Sequence, residues 1–143
     1  MSDDPFDLGR FVDAQSKDYA RALSELRAGS KTTHWMWHVL PQMRGLGTSS
    51  MAARYGIGSL DEARAYLAHP VLGPRLIECA AAMNGLRVGS AAEVLGAIDA
   101  AKFRSCLTLF LAAEPDNAVL REALDKYYAG VADGRTLGLL AGS

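Results

Sequence analysis

Helix-start and helix-stop signals recur along this chain and limit what it can fold into. Ser59–Glu62 and Ser90–Glu93 both have the Ser-x-x-Glu pattern of a capping box. In a capping box the serine oxygen accepts from the amide of the glutamate, while the glutamate side chain bonds back to the start of the helix. Gly29 and Gly130 each follow a run of apolar residues at helical spacing, and glycine tolerates the left-handed turn that ends many helices. These signals predict a series of separate helices.

The spacing of apolar residues predicts where the helices lie. The predicted ranges are 8–28, 31–40, 59–68, 74–84, 90–98, 100–113 and 117–129, with a short apolar tail after Asp133. The segment 100–113 is apolar almost all round, which is typical of a central buried helix. No long stretch alternates with period two, and a small extended piece near 52–57 is left open. We predict an all-α, mainly α-helical, single compact domain over residues 1–143, with residues 1–6 loose.

Composition excludes several classes of function. Half of the 143 residues are hydrophobic and 22% are charged, which is the balance of a folded globule. A formal net charge of −1, with no run of Lys and Arg, argues against a nucleic-acid duplex as partner. We expect no secretion signal, no membrane-spanning helix and a cytoplasmic location. Cys79 and Cys106 lie in apolar patterns and are expected to be buried, reduced thiols.

Residues 31–40 concentrate two histidines and two tryptophans. On a helix, His34 and His38 would share one face at the spacing that two imidazoles use to grip a metal. The glutamate of the HExxH pattern is missing, because Trp35 stands in its place. The alternative is that Trp35 fills the core while the imidazoles bond to backbone or carboxylate. We assign no metal and no cofactor, and His34 or His38 would be the best general acid–base.

The loop after Pro41 is rich in glycine and hydrogen-bond donors. Gln42, Arg44, Gly45 and Gly47 lie there. Glycines let backbone amides approach a ligand closely, and the arginine suits a phosphate or carboxylate. The alternative is an ordinary glycine turn that leads into a helix capped by Ser49 or Ser50.

Polar residues also occur where apolar ones are expected. Lys102 and Ser105 are three apart on the predicted central helix and could line one wall of a cleft, or lie at its exposed edge. Asp133 and Thr136 bracket a glycine and would either cap a helix or belong to the same site.

Four motifs occur in order along the chain: K-T-T-H-W-M-W-H-V-L-P-Q-x-x-G-L-G-x-S, A-R-A-Y-L-A-H-P-V-L-G-P-R-L, K-F-R-S-C-L-T-L-F and Y-A-G-x-x-D-x-x-T-L. They closely resemble an uncharacterised, mostly bacterial family known as domain of unknown function eighteen-ten, sometimes mislabelled calpastatin. The resemblance covers about residues 6–140 and implies a compact, mainly α-helical domain without an established activity. The calpain-inhibitor label does not fit, because calpain-inhibiting segments are disordered.

The order of the motifs is also similar to that of the NADAR group, which acts on N-glycosidic bonds of ADP-ribose-like compounds. The acidic residue that follows the first motif of that group, and its Trp-Gly pair, have no match here. No catalytic residue is therefore carried over.

Two functions are compatible with these patterns. In the first, the protein binds or processes an anionic nucleotide- or ADP-ribose-like small molecule, with His34 and His38 as catalytic residues. The expected ligand-binding residues are Lys31, Trp35, Trp37, Gln42, Arg44, Gly45, Gly47, His69, Lys102, Ser105, Asp133 and Thr136. In the second, the protein is a non-enzymatic interaction module whose unidentified protein partner contacts an exposed face, such as the 116–128 helix with Tyr127 and Tyr128, or the N-terminal helix.

Overall fold

The structure is a computed structural model that describes residues 3–142, and it confirms the predicted mainly α-helical, single compact domain. Nine α-helices lie within the described range. They are α1 (Gly9–Ala28), α2 (Met36–Val39), α3 (Ser50–Tyr55), α4 (Leu60–Ala68), α5 (Leu72–Asn84), α6 (Ala91–Leu95), α7 (Ala97–Ala113), α8 (Ala118–Tyr128) and α9 (Gly134–Ala141). The extended pairing found among these residues is one isolated parallel bridge, between Met43 and Ile57.

Helix α7 is the central helix, as its composition predicts. It packs against α4, α6, α8 and α9. Phe103, Leu107 and Phe110 on α7 are fully buried. Burial of such side chains stabilises a fold by about 1.5–3 kcal/mol each, so this helix organises the core around which the site is built.

A second group of contacts joins the N-terminal half of the chain to α7. Helix α5 packs on α1, α4 and α8. The buried ring of Tyr66 lies 5.2 Å from Phe11 on α1 and 5.1 Å from Phe110 on α7, measured between centroids. Tyr66 therefore connects three helices through aromatic contacts.

The serines of both capping boxes cap their helices as expected. Ser59 Oγ accepts from the amide of Glu62 at 3.1 Å. The carboxylate of Glu62, however, accepts from the amide of Gly58 at 3.0 Å, one residue before the expected partner. It also pairs with Arg10 at 2.8 Å, so this box ties α4 to α1.

Several helix limits differ from those predicted. The helix expected over 31–40 is reduced to α2, and in the preceding non-helical segment the amides of Thr32 and Thr33 bond to the carboxylate of Glu25. The helix expected to reach Ile98 ends at Leu95, where Gly96 with φ of +84° starts a new helix.

The open alternative of an extended piece near 52–57 is resolved mostly as helix. Residues up to Tyr55 belong to α3, and Ile57 pairs with Met43. Of the stretch 1–6, residues 1 and 2 lie outside the described part of the chain. Asp4 is anchored, since its carboxylate accepts from the amides of Leu8 and Gly9 at 2.7 Å each.

Candidate functional site

An open groove of about 490 Å³ lies between the loop after α2, the first half of α7 and the start of α9. Its volume is in the range of small-molecule sites, about 300–1,000 Å³. The residues that line it are Gln42, Leu46, Gly47, Ala97, Ile98, Ala101, Lys102, Ser105, Asp133 and Arg135. Five of the residues predicted from the sequence meet here, namely Gln42, Gly47, Lys102, Ser105 and Asp133.

Three polar groups in this groove have neither a hydrogen-bond partner nor an ion-pair partner among residues 3–142. They are the side-chain amide of Gln42, the guanidinium of Arg135 and one carboxylate oxygen, Oδ1, of Asp133. An amide, a cation and an acceptor offer both kinds of hydrogen bond to a ligand. The groove is therefore equipped to bind a polar molecule.

Lys102 is held in place from two sides. Its Nζ lies 3.6 Å from Asp99 Oδ1, one helical turn earlier on α7. It also lies 5.0 Å from the centroid of the Trp37 ring, in a cation–π arrangement. Because Asp99 is also paired with Lys31 at 2.9 Å, one carboxylate is shared by two ammonium groups and does not neutralise both.

A hydrogen-bond network joins α7 to α9 beneath the groove. Asp133 Oδ2 accepts from the Thr136 amide at 3.0 Å, the Thr136 hydroxyl at 2.6 Å and the Ser105 hydroxyl at 3.2 Å. The predicted helix cap is thus present. Asp133 therefore caps α9 and also lines the groove.

The pKa of Asp133 is lowered from its usual value. Burial raises this pKa, but the hydrogen bonds from Thr136 and Ser105, together with the nearby Arg104 guanidinium, outweigh that effect. Asp133 is therefore a fixed, ionised acceptor at neutral pH.

The other polar residues of α7 hold the segment before α9. Arg104 donates to the carbonyls of Val131 at 2.8 Å and Ala132 at 3.2 Å. The hydroxyl of Thr108 accepts from the amide of Asp133 at 2.9 Å. Arg104 and Thr108 thus attach the segment 131–133 to α7. This attachment positions Asp133, which lines the groove.

The glycine loop is fixed by its pairing with the chain after α3. The amide of Arg44 donates to the Ile57 carbonyl at 2.8 Å, and the Arg44 guanidinium donates to the Gly56 carbonyl at 3.0 Å. A Cβ at Gly56 would stand 2.7 Å from Arg44 Cα, so only glycine allows this approach. Ser49 caps α3, as the glycine-turn alternative proposed. Arg44 and Gly45 do not line the groove.

Lys31 and Trp35 are held elsewhere, by a buried carboxylate. Glu25 accepts from the Trp35 indole at 3.0 Å and from the hydroxyl of Thr33 at 2.6 Å. The Lys31 side chain is only 6% exposed and lies 5.1 Å from the Trp35 ring centroid. Lys31 and Trp35 do not line the groove, because Lys31 is paired with Asp99 and Trp35 is bonded to Glu25.

Trp37 borders a separate crevice, shared with Met36, Leu40 and Lys102. Its volume is about 10 Å³, which is room for about one water molecule. The accessible ring of Trp37 is already covered by the Lys102 ammonium. Stacking of a ligand on Trp37 stays a prediction that would require Lys102 to move.

Neither histidine of the opening segment lines the groove. His38 is buried, and its Nε2 lies 2.8 Å from Asp18 on α1, while its Nδ1 has no hydrogen-bond partner among the described residues. His34 is exposed. Within residues 3–142, no three His, Cys, Asp or Glu side chains are grouped so that they could hold a metal ion. The catalytic role of the two histidines stays a prediction.

His69 and the two cysteines have other surroundings. The Nδ1 atom of His69 accepts from the amides of Val71 and Leu72, so this side chain caps α5. His69 lines a different depression, near the N-terminus. Cys79 and Cys106 are buried free thiols as predicted, and burial raises the pKa of Cys79 to about 12 and that of Cys106 well above its ordinary value. They are therefore poor nucleophiles.

Sequence reasoning missed Arg135, Ile98 and Asp99. Arg135 stands inside the Asp-Gly-Arg-Thr turn and could have been recognised as a cation in the first turn of a capped helix. Asp99 precedes Lys102 by three residues, a spacing that favours an ion pair on a helix. Ile98 is 76% exposed on the rim of the groove, and nothing in the local pattern predicts that position.

Comparison with known proteins identifies the family. Residues 5–140 match the family described as Protein of unknown function (DUF1810). The chain belongs to the DUF1810 family. A solved structure with the same fold is the crystal structure at 1.38 Å of the conserved hypothetical protein Rv1873 from Mycobacterium tuberculosis. The two chains are 52% identical, the match covers 96% of this chain and 99% of that one, and the TM-score is 0.94.

Membership of the DUF1810 family confirms the resemblance found in the sequence. No curated protein matches the chain. Neither the calpastatin label nor the similarity to the NADAR group is supported by these matches. Within residues 3–142, none of the helices has the length and apolar character needed to cross a membrane. The cytoplasmic location stays a prediction.

Proposed function

We propose that this DUF1810 protein binds a small anionic molecule of the sugar-phosphate or nucleotide type, ADP-ribose included, in the groove between α7 and α9. The observation that carries the proposal is the meeting of Gln42, Lys102, Asp133 and Arg135 around one cavity of about 490 Å³. These residues come from three segments that are far apart along the chain.

The charges near the groove favour an anion. Lys102 and Arg135 line it directly, and Arg104 stands next to Asp133. Asp133 is one carboxylate among these cations, and Asp99 is already shared between Lys102 and Lys31. A phosphate would gain charge-assisted hydrogen bonds, which are about twice as strong as neutral ones.

The proposal is one of binding, because the groove residues do not form a catalytic set. The histidines best suited to proton transfer at neutral pH are not among its lining residues. Processing of the ligand would require a bound molecule to reach from the groove to His34 or His38. Binding is the function that the arrangement of side chains supports best.

Calorimetric titration tests the proposal. ADP-ribose, AMP and ribose 5-phosphate are titrated into the protein at low ionic strength. We expect binding that weakens about tenfold in Lys102→Ala, because one charge-assisted hydrogen bond is lost. Lys17→Ala is the matched control, since Lys17 is an exposed lysine on α1 outside the groove. If none of the three compounds binds the wild-type protein more tightly than about 1 mM, or if Lys17→Ala weakens binding as much as Lys102→Ala, the proposal fails.

A protein-interaction module is the second candidate, and one observation favours it. Val131 and Leu137 are 56% and 47% exposed. Leu137 also edges a shallow depression that Leu111 and Leu124 line. The face of α8 that carries Tyr127 and Tyr128 is less suitable for a partner. The hydroxyls of both tyrosines donate inward, to carbonyls of α5 and α7. This function would be supported if the variant Leu137→Asp loses a protein partner that the wild-type protein binds. Binding of the small anions should be unaffected by the change, or absent in both proteins.

A further inference from the structure

The two carboxylate oxygens of Asp133, a residue that lines the groove, differ in their hydrogen bonding. All three donors that reach this carboxylate, two from Thr136 and one from Ser105, bond to Oδ2. Among residues 3–142, Oδ1 receives no hydrogen bond, although the residue lines the cavity. The side chain is therefore fixed by its capping role, and its second oxygen is left as an acceptor in a residue that lines the same groove as Lys102 and Arg135.

An ionised carboxylate in an anion site restricts the ligand. It can only accept hydrogen bonds, so it repels a ligand that presents nothing but phosphate oxygens at that point. A ligand that places an O–H or N–H group there gains a charge-assisted hydrogen bond instead. The groove thus selects a molecule that carries a donor close to its anionic group.

The charges near Asp133 favour a neutral hydroxyl over a charged ammonium as the ligand group that donates to its carboxylate. Lys102 and Arg135 share the groove, and Arg104 lies beside the carboxylate. A ligand ammonium would meet repulsion from these three cations, whereas a neutral hydroxyl would not. The hydroxyl is the better match.

We propose that the groove recognises a phosphorylated sugar, with Asp133 Oδ1 accepting from a sugar hydroxyl while Lys102 and Arg135 bind the phosphate. This inference rests on the proposed function and adds a specificity-determining residue and a ligand class to it. The side-chain amide of Gln42, also without a partner among the described residues, supplies a further donor and acceptor for the same sugar.

Three small probes measured by calorimetry test the inference on the wild-type protein. Ribose 5-phosphate carries both groups, methyl phosphate lacks the sugar hydroxyls, and phosphoethanolamine replaces them with an ammonium. We expect ribose 5-phosphate to bind about tenfold more tightly than either of the others, which is the effect of one hydrogen bond to a charged group. Equal or tighter binding of methyl phosphate or phosphoethanolamine would overturn the inference.

The variant Asp133→Asn tests the residue itself. Asparagine keeps an oxygen for Thr136 and Ser105 and is a good helix cap, but it replaces Oδ1 with an NH₂ group, which cannot accept a hydrogen bond. We expect ribose 5-phosphate to bind about tenfold more weakly and methyl phosphate to bind as well as before or better, because a negative charge is removed. Asp116→Asn makes the same change of charge at an exposed site outside the groove and should alter neither affinity.

The outcomes separate this inference from the function on which it rests. If ribose 5-phosphate and methyl phosphate bind the wild-type protein equally and Lys102→Ala weakens both, the anion site stands and the role of Asp133 is wrong. If Asp133→Asn retains the full preference for ribose 5-phosphate, the role of Asp133 is likewise wrong. If no probe binds the wild-type protein, both proposals fail.

Discussion

Glu25 is a buried carboxylate on α1 that holds the segment before α2 in place. Its two oxygens accept from the amides of Thr32 and Thr33, the Thr33 hydroxyl and the Trp35 indole. Burial raises the pKa of Glu25, but these hydrogen bonds outweigh it and lower the pKa to about 2. The residue therefore fixes the non-helical segment 32–35 that leads into α2.

Glu25→Gln should destabilise the protein by about 2 kcal/mol at pH 7, because the neutral amide makes weaker hydrogen bonds than the carboxylate. The pKa of Glu25 is lower in the folded than in the unfolded protein. Its contribution is therefore complete above about pH 4.5 and is lost as the pH falls toward 2. Urea unfolding at several pH values between 2 and 7 measures both effects.

The control for this prediction is Glu122→Gln, a change at an exposed glutamate of α8. It should leave the free energy of unfolding nearly unchanged at pH 7. If Glu25→Gln has the same pH dependence as the wild-type protein over this range, the hydrogen bonds of Glu25 do not stabilise the fold as described.

At the scale of elements, the loop that forms one wall of the groove depends on a close approach of two backbones. The amide of Arg44 donates to the Ile57 carbonyl, and the Arg44 Cα lies 2.7 Å from where a Gly56 Cβ would stand. The loop contains little regular structure of its own. Its shape follows from this pairing and from the helix cap at Ser49.

Gly56→Ala should lower the free energy of unfolding by about 2 kcal/mol, because the new methyl group overlaps the Arg44 backbone and forces the two strands of the bridge apart. Gly138→Ala is the matched control. Gly138 lies inside α9 with nothing within 4 Å of the added carbon, so its replacement should be neutral or stabilising by up to about 1 kcal/mol. Thermal unfolding of both variants measures the difference, and equal effects would contradict this account of the loop.

Elements with local signals were predictable from the sequence, and elements set by distant contacts were not. The serine caps of α4 and α6, and the apolar character of α7, are encoded within a few residues of each helix. The shortness of α2 was not predicted, because the contacts that fix the segment before it involve Glu25, which lies outside the 31–40 pattern.

The same distinction applies to the site. The spacing of Lys102 and Ser105 left open a shared cleft wall or an exposed helix edge, and Asp133 was either a helix cap or part of the site. In the structure Lys102 and Ser105 line one groove, and Asp133 caps α9 and also lines that groove. Lys31 and Trp35 were expected nearby because of their composition alone, but their partners Glu25 and Asp99 draw them away from the groove.

At the scale of the whole molecule, the formal net charge of −1 conceals a local excess of cations. Lys102 and Arg135 line the groove together with Asp133, and Arg104 is the cation that helps to lower the pKa of Asp133. Such a local group of cations would favour a small anion at that position, as proposed above. Attachment of α9 to α7 is thus what creates the proposed site.

The most direct test of the groove as a binding site is a titration of the ¹⁵N-labelled protein with ribose 5-phosphate, followed by amide chemical shifts. The account predicts saturable shifts concentrated at Leu46, Gly47, Lys102, Ser105 and Arg135, all of which line the groove. Absence of shifts, or shifts confined to other faces of the molecule, would contradict it.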